Sequence, residues 1–271
     1  DGKELFRENY GFADKDAGIP IRNNTIYRLF SMTKPIISVA AHMLIERGLL
    51  NYEDPVSRYI PTFKAQKVMT IDGVPVFEAG ASAGSVNDAV SSTAGSTSSG
   101  RIAYRPASRE ATVKDLLNMT AGLYYPDGTV IGQVYGALQD KINAAFDAGH
   151  PYSTYEIACM LGEQPLGFDP GAHWNYSTCA DVLGAVIEVA AGKRLGTFLE
   201  DEIFKPLGMV DTGFTVPSGK YERYAKMYDR RWPDPSDIFE NEVYIFCIND
   251  RKLPNPFESG GAGLVTTLDD Y

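Results

Sequence analysis

The chain has 271 residues, with 25 basic and 35 acidic side chains and a formal net charge of −10. An acidic chain without a basic cluster argues against nucleic acid and anionic membrane as partners, and no apolar run approaches the roughly 20 residues that span a bilayer. With 44% hydrophobic and 22% charged residues, it has the balance of a soluble globular protein, long enough for one large domain or two lobes.

In chain order, residues 3–12 read as a strand. Asp1-Gly2 ahead of them reads as a hairpin turn whose first strand is missing, so the N-terminus looks truncated and export stays open. A second strand over 25–30 leads into Ser31-Met32-Thr33-Lys34-Pro35. Proline lacks an N–H and is tolerated in the first turn of a helix, so Pro35 places the helix start close to Ser31. The run Ile36 to Ile45 is mostly apolar and predicts a buried central helix, ending at Gly48-Leu49-Leu50. A short turn follows from Glu53-Asp54-Pro55 to Tyr59-Ile60-Pro61. Residues 79–100 are rich in Ala, Gly, Ser and Thr and read as a flexible insertion. Helical spacing returns over 112–119, stopping at Thr120-Ala121-Gly122, then over 154–162, 178–191 and 195–204, the last ending at Pro206-Leu207-Gly208. From about 223, Tyr224, Met227 and Tyr228, then Val243, Tyr244, Ile245 and Phe246, predict strands again. Strands therefore flank a helical middle, with no internal repeat.

Cys159, Cys179 and Cys247 are odd in number and widely spaced, which argues against a disulfide framework or a Cys-x-x-Cys zinc site. His42, His150 and His173 form no His-x-x-x-His pair. A Ser-His-Asp triad lacks its Gly-x-Ser-x-Gly elbow here, which discounts an α/β-hydrolase.

The chemistry-bearing residues lie elsewhere. Ser31 and Lys34 are three apart on a helix and share a face, so an amine sits over the hydroxyl and can activate it without histidine. A lysine at the start of a buried helix is partly withdrawn from water, which suits it to act as a base. The N–H of Ser31 would lie near the positive end of the helix dipole, where it can help hold an oxyanion. By itself Ser-x-x-Lys also describes a solvated pair on a helix surface. The second constellation is Pro170-Gly171-Ala172-His173-Trp174-Asn175-Tyr176-Ser177-Thr178, at the entrance to the helix over 178–191. A turn there is expected to project Tyr176 and Ser177 into a cleft. A tyrosine beside an ammonium can relay a proton; equally, Tyr176 can be a rim residue and Thr178 an N-cap.

Taken together, Ser31-x-x-Lys34, Tyr176-Ser177-Thr178, Asp115 to Leu123, Leu183 to Glu188, Phe204 to Met209 and Ser259 to Leu264 resemble the serine β-lactamase and penicillin-binding-protein superfamily. The likeness is closest to its class C β-lactamase-like branch, which holds D-alanyl-D-alanine carboxypeptidases and family VIII carboxylesterases. The resemblance implies a bacterial-type soluble protein, cytoplasmic or exported, of α/β (α+β) class, with a mostly antiparallel sheet flanked by helices. One β-lactamase-like domain would cover 1–271, apparently incomplete at both ends. Its sheet-containing lobe would take 1–58 and 218–271, and its helical lobe 59–217 with the insertion at 79–100.

By the same resemblance Ser31 is the nucleophile, Lys34 its base or electrostatic partner, and Tyr176 shares proton transfer. Thr178, Gly260 and Gly261 are the substrate-binding candidates. The family's Tyr-x-Asn element ends in Thr178 here, which removes an amide suited to a β-lactam side chain and favours an esterase or peptidase over a dedicated β-lactamase. The implied function is a serine hydrolase without cofactor or metal, acting through an acyl-enzyme on a small ester, amide or D-amino-acid peptide. The competing class is a non-catalytic penicillin- or peptide-binding sensor of the same fold. The family's third motif (Lys-Thr-Gly or His-x-Gly) does not follow Thr266-Thr267. That points to a missing segment or a second chain completing the site.

Overall fold

The computed structural model describes residues 4–80, 100–231, 233–234, 236–241 and 251–271. β1 (Phe12–Asp14) and β2 (Ile19–Pro20) form a short antiparallel hairpin. The strand predicted over 3–12 is thus displaced: residues 4–11 form no strand, and Leu5, Phe6 and Tyr10 are exposed. An apolar alternation becomes a strand only where a neighbouring ladder takes up its N–H and C=O groups. β3 (Tyr27–Arg28) follows, then a 3₁₀ turn (Phe30–Met32) and α1 (Thr33–Glu46). The helix therefore starts where Pro35 predicts. It buries Thr33, Ile37, Ala40, Ala41 and Leu44, one stripe at helical spacing.

β4 (Lys67–Ile71), β5 (Val74–Pro75) and β6 (Ile102–Pro106) make a three-stranded antiparallel sheet in the order β5-β4-β6. Nothing in the sequence pattern announced it, because β6 is exposed along most of its length and carries no apolar alternation. Residues 81–99 of the predicted insertion lie outside the described residues.

α2 (Val113–Leu117) is opened by a reciprocal cap between Thr112 and Asp115. It ends before the predicted stop, since Met119 takes a left-handed φ of 58° two residues past the last turn. α3 (Val130–Asp147) was not predicted. Thr129 caps it through the Gly132 N–H, and Ile131, Tyr135, Leu138 and Ile142 form its buried stripe. α4 (Thr154–Gly162) has a Ser153–Glu156 capping box. In α5 (Cys179–Ala191) every residue from Cys179 to Ile187 is buried, which makes it the central helix. It packs against α1, α2, α4 and α6 (Leu195–Leu199). α6 runs on through a π turn (Glu200–Phe204) to Lys205–Leu207 and stops at Gly208, φ 72°. The wide turn fits Pro206, which has no N–H to give and whose ring crowds the preceding turn.

β7 (Tyr228–Arg230) and β8 (Ile238–Glu240) pair antiparallel. β9 (Val265–Thr266) returns to pair with β3. Tyr224 only bridges Ile26, and the predicted strand at Val243 to Phe246 lies outside the described residues. The fold is a mixed α/β architecture with antiparallel sheets, as the sequence implied. One apolar core joins Leu29 on one side of Ser31 to Leu264 beside β9. Among the described residues no helix is long and apolar enough to cross a membrane.

One ion pair outside the core has a measurable role. Arg105 of β6 donates to both Asp169 oxygens (3.0 and 2.6 Å), and the Ser108 N–H adds a third bond at 2.7 Å. The guanidinium holds the Asp169 carboxyl down at about 2. That lies below the ~3.9 of an unfolded aspartate, so the stabilisation is present above that value and is lost as pH falls toward 2. Asp169→Asn should lower stability at pH 7 by ~1–2 kcal/mol, allowing for solvent at Arg105. Urea melts at pH 7 and pH 2 check this: equal losses at both pH values would show that the ionised pair is not responsible.

Candidate active site

Ser31 is exposed at the turn between β3 and α1. The residue before it, Phe30, has a left-handed φ of 46°, a strained backbone worth ~1 kcal/mol or more that bends the chain sharply from strand to helix. Leu264 clamps both sides of that bend. Its carbonyl accepts from the Leu29 N–H at 2.9 Å, and its N–H donates to the buried Thr33 Oγ1 at 3.1 Å.

Lys34 stands one turn along α1, half-buried, and its Nζ donates to Ser31 Oγ at 3.2 Å and to the Gly261 carbonyl at 2.8 Å. Tyr176, 145 residues away in sequence, donates to the same Ser31 Oγ at 2.6 Å. The Lys34 ammonium lies 4.6 Å from the Tyr176 ring centroid and 5.7 Å from that of Tyr125. Tyr125 and the exposed Trp174 flank Tyr176 at 5.7 and 6.4 Å between centroids, giving the site an aromatic wall.

The loop ahead of α5 alternates. Tyr176 faces the site, while Asn175 and Ser177 are buried on either side of it. Asn175 donates to the Leu123 carbonyl at 2.9 Å, and Ser177 Oγ lies 3.1 Å from Cys179 Sγ. The expectation that Ser177 projects into the cleft is therefore corrected: its side chain is fully buried and its hydroxyl is turned to the Cys179 thiol at the start of α5. Thr178 is also fully buried, and its Oγ1 meets the Tyr124 carbonyl at 3.4 Å.

Gly260 and Gly261 are buried against the start of α5. A Cβ on Gly260 would lie 2.2 Å from the Ala180 carbonyl oxygen, and one on Gly261 2.5 Å from Asp181 Oδ2. Gly260→Ala meets backbone that cannot step aside, so it should lever this segment off the helix. Overpacking of this kind destabilises by about 1–3 kcal/mol and would carry the Gly261 carbonyl away from Lys34. A thermal melt alongside a Ser31 labelling rate checks it, and an unchanged rate would refute the coupling.

The structure adds residues that sequence reasoning missed. Asp181, in the first turn of α5, is buried and accepts from Ser259 Oγ at 2.5 Å and from the Gly261 N–H at 2.9 Å. Burial pushes its carboxyl above the ordinary aspartate range, against the Ser259 hydroxyl, the Lys34 charge and the Gly261 N–H. Burial likewise drives the Tyr125 phenol well up. An acid in the first turn of a helix that is apolar for the next six residues was the available signal for Asp181.

The β-lactamase family model matches residues 1–271. The chain belongs to the β-lactamase family. Within that family it is 32% identical over 279 residues to the esterase EstB of Burkholderia gladioli, covering 99% of this chain and 61% of the relative. It is 28% identical over 229 residues to monacolin J acid methylbutanoyltransferase of Aspergillus terreus, covering 83% of this chain and 47% of that one. Among solved structures it is similar to EstCE1, a hydrolase with promiscuous acyltransferase activity, with a TM-score of 0.66 and 26% identity over 96% of this chain and 60% of that one. The chain thus spans about half to three-fifths of the length of these relatives.

Proposed function

We propose that this chain carries the nucleophilic half of a serine hydrolase that acts through an acyl-enzyme on small esters, amides or D-amino-acid peptides, with esters favoured. The observation that carries the reading is the convergence of Lys34 and Tyr176 on one exposed hydroxyl, Ser31 Oγ, from two distant elements. EstB and EstCE1 support it as relatives named for ester hydrolysis and acyl transfer.

In this reading Lys34 is the electrostatic partner. Its ammonium donates to two acceptors, Ser31 Oγ and the Gly261 carbonyl, and lies 4.6 Å from the Tyr176 ring centroid. Ser31 Oγ attacks the substrate carbonyl as its proton passes to the Tyr176 oxygen, which gives up its own proton to the leaving atom in the same relay, and the carbonyl π electrons move onto oxygen. The Ser31 N–H, at the start of the helical turn, is one donor for that oxyanion. Collapse expels the alcohol or amine, protonated through Tyr176, and leaves the acyl group on Oγ and the former Ser31 proton on Tyr176. Water, or a second alcohol, then attacks the acyl carbonyl by the same proton route and frees Ser31.

The test is exposure of the protein to a fluorophosphonate and to an activated ester, with the adduct mapped by mass spectrometry. A single adduct on Ser31 together with ester turnover is expected. Adduct without turnover would favour the sensor reading, and no adduct would remove the nucleophile.

A further inference from the structure

We propose that Asp181 is the positioning residue of this site: its carboxylate holds the Ser259–Gly261 segment so that the Gly261 carbonyl pins the Lys34 ammonium against Ser31, and it supplies the countercharge to that ammonium. The inference rests on the acyl-enzyme reading and adds a member to it. The connection is continuous. Ser259 Oγ and the Gly261 N–H both donate to Asp181 Oδ1, and the Gly261 carbonyl, one peptide further on, accepts from Lys34 Nζ, which donates to Ser31 Oγ. Ser259 Oγ also accepts from the Ala262 N–H at 3.1 Å, so the turn is tied at both ends.

A helix-stabilising aspartate in a first turn works from the surface, where its carboxylate meets open N–H groups. Asp181 does something different. It is 4% exposed, and it reaches across to a separate segment 80 residues away. A buried carboxylate persists where hydrogen bonds and a cation compensate it. Lys34 is the cation that the Gly261 peptide brings up to it, since the Gly261 N–H bonds Asp181 and the Gly261 carbonyl bonds Lys34. The glycine at 261 follows from the same packing, since any side chain there would strike the Asp181 carboxylate. Asp181 also lies five residues past Tyr176, so one short stretch entering α5 brings both the hydroxyl that bonds Ser31 and the countercharge for Lys34.

The other groups in this electrostatic neighbourhood are Lys34 on α1, Tyr176 and Tyr125 from the loops, Cys179 on α5, and Asp115 on α2, which is paired with Arg109 at 2.6 Å. All remain in Asp181→Asn, which keeps an oxygen to accept from Ser259 and Gly261 but removes the charge. Losing a negative charge makes the neighbouring groups release protons more readily. The acid limb of the pH profile for Ser31 phosphonylation should therefore move to lower pH by ~1 unit, while the plateau rate falls ~10-fold from looser positioning. Asp181→Ala loses the acceptor as well and should fall further, by ~10²-fold.

The measurement is the fluorophosphonate labelling rate of the wild type and both variants from pH 5 to 10, with a thermal melt of each. Asp181→Asn that melts lower but keeps the wild-type rate and profile would make Asp181 a structural residue only and overturn the inference, leaving the hydrolase reading intact. A wild type that forms no Ser31 adduct would overturn both. A folded Asp181→Asn with a shifted acid limb supports the inference.

Discussion

Ser31→Ala is expected to abolish turnover of an activated ester, by about 10⁴–10⁶-fold, because the oxygen that the proposed mechanism acylates is gone. The substitution is mild for the fold. Ser31 is exposed, and its bonds are to Tyr176 and Lys34, which themselves reach solvent. An exposed substitution of this kind changes stability by about 0.5 kcal/mol or less, so a thermal melt should coincide with that of the wild type. The fluorophosphonate adduct disappears with the activity. Retention of a tenth of the activity, or an adduct on another residue, would place the chemistry elsewhere in the molecule.

Tyr176→Phe is expected to lower the labelling and ester-turnover rates by ~10²–10⁴-fold, the range for removing a positioned acid–base group. The variant isolates one function. The ring keeps its packing on Tyr125 and Trp174 and its place beside the Lys34 ammonium, while the bond at 2.6 Å to Ser31 Oγ is lost. The loss should fall on kcat, with KM changed little, because a proton relay matters in the transition state more than in binding. Lys34→Met should give a loss of similar size. The double variant should lose little more than either single one, since groups that act as a unit are not additive. A Tyr176→Phe rate within a few-fold of the wild type would remove Tyr176 from proton transfer.

The two halves of this site differ in how far they could be read in advance. Ser31 and Lys34 form a local pair, and their meeting follows from helix geometry once Pro35 marks the first turn. The buried stripe of α1 and the largely apolar α5 were legible for the same reason, because helical periodicity is carried within a few residues. The sheets were legible only in part. β3 falls inside the strand read over 25–30 and β7 begins at Tyr228, but β9 is two residues long, too short for alternation to show, and β6 is mostly exposed. α3 was missed although Ile131, Tyr135, Leu138 and Ile142 keep helical spacing, because the polar and small residues between them dilute the pattern.

The sequence by itself determined the family, the mixed α/β class, and the serine–lysine pair at the head of a buried helix. Tertiary structure decided what meets that pair. Tyr176 was placed at a helix entrance by its sequence, but its contact with Ser31 exists because α1 and α5 pack against each other. The same packing brings the Gly261 carbonyl to Lys34, buries Ser177 and Thr178, and sets Asp181 behind the lysine. Side chains three residues apart on a helix are joined by covalent geometry. Those separated by 80 or 145 residues meet only when apolar burial has closed the core between their helices.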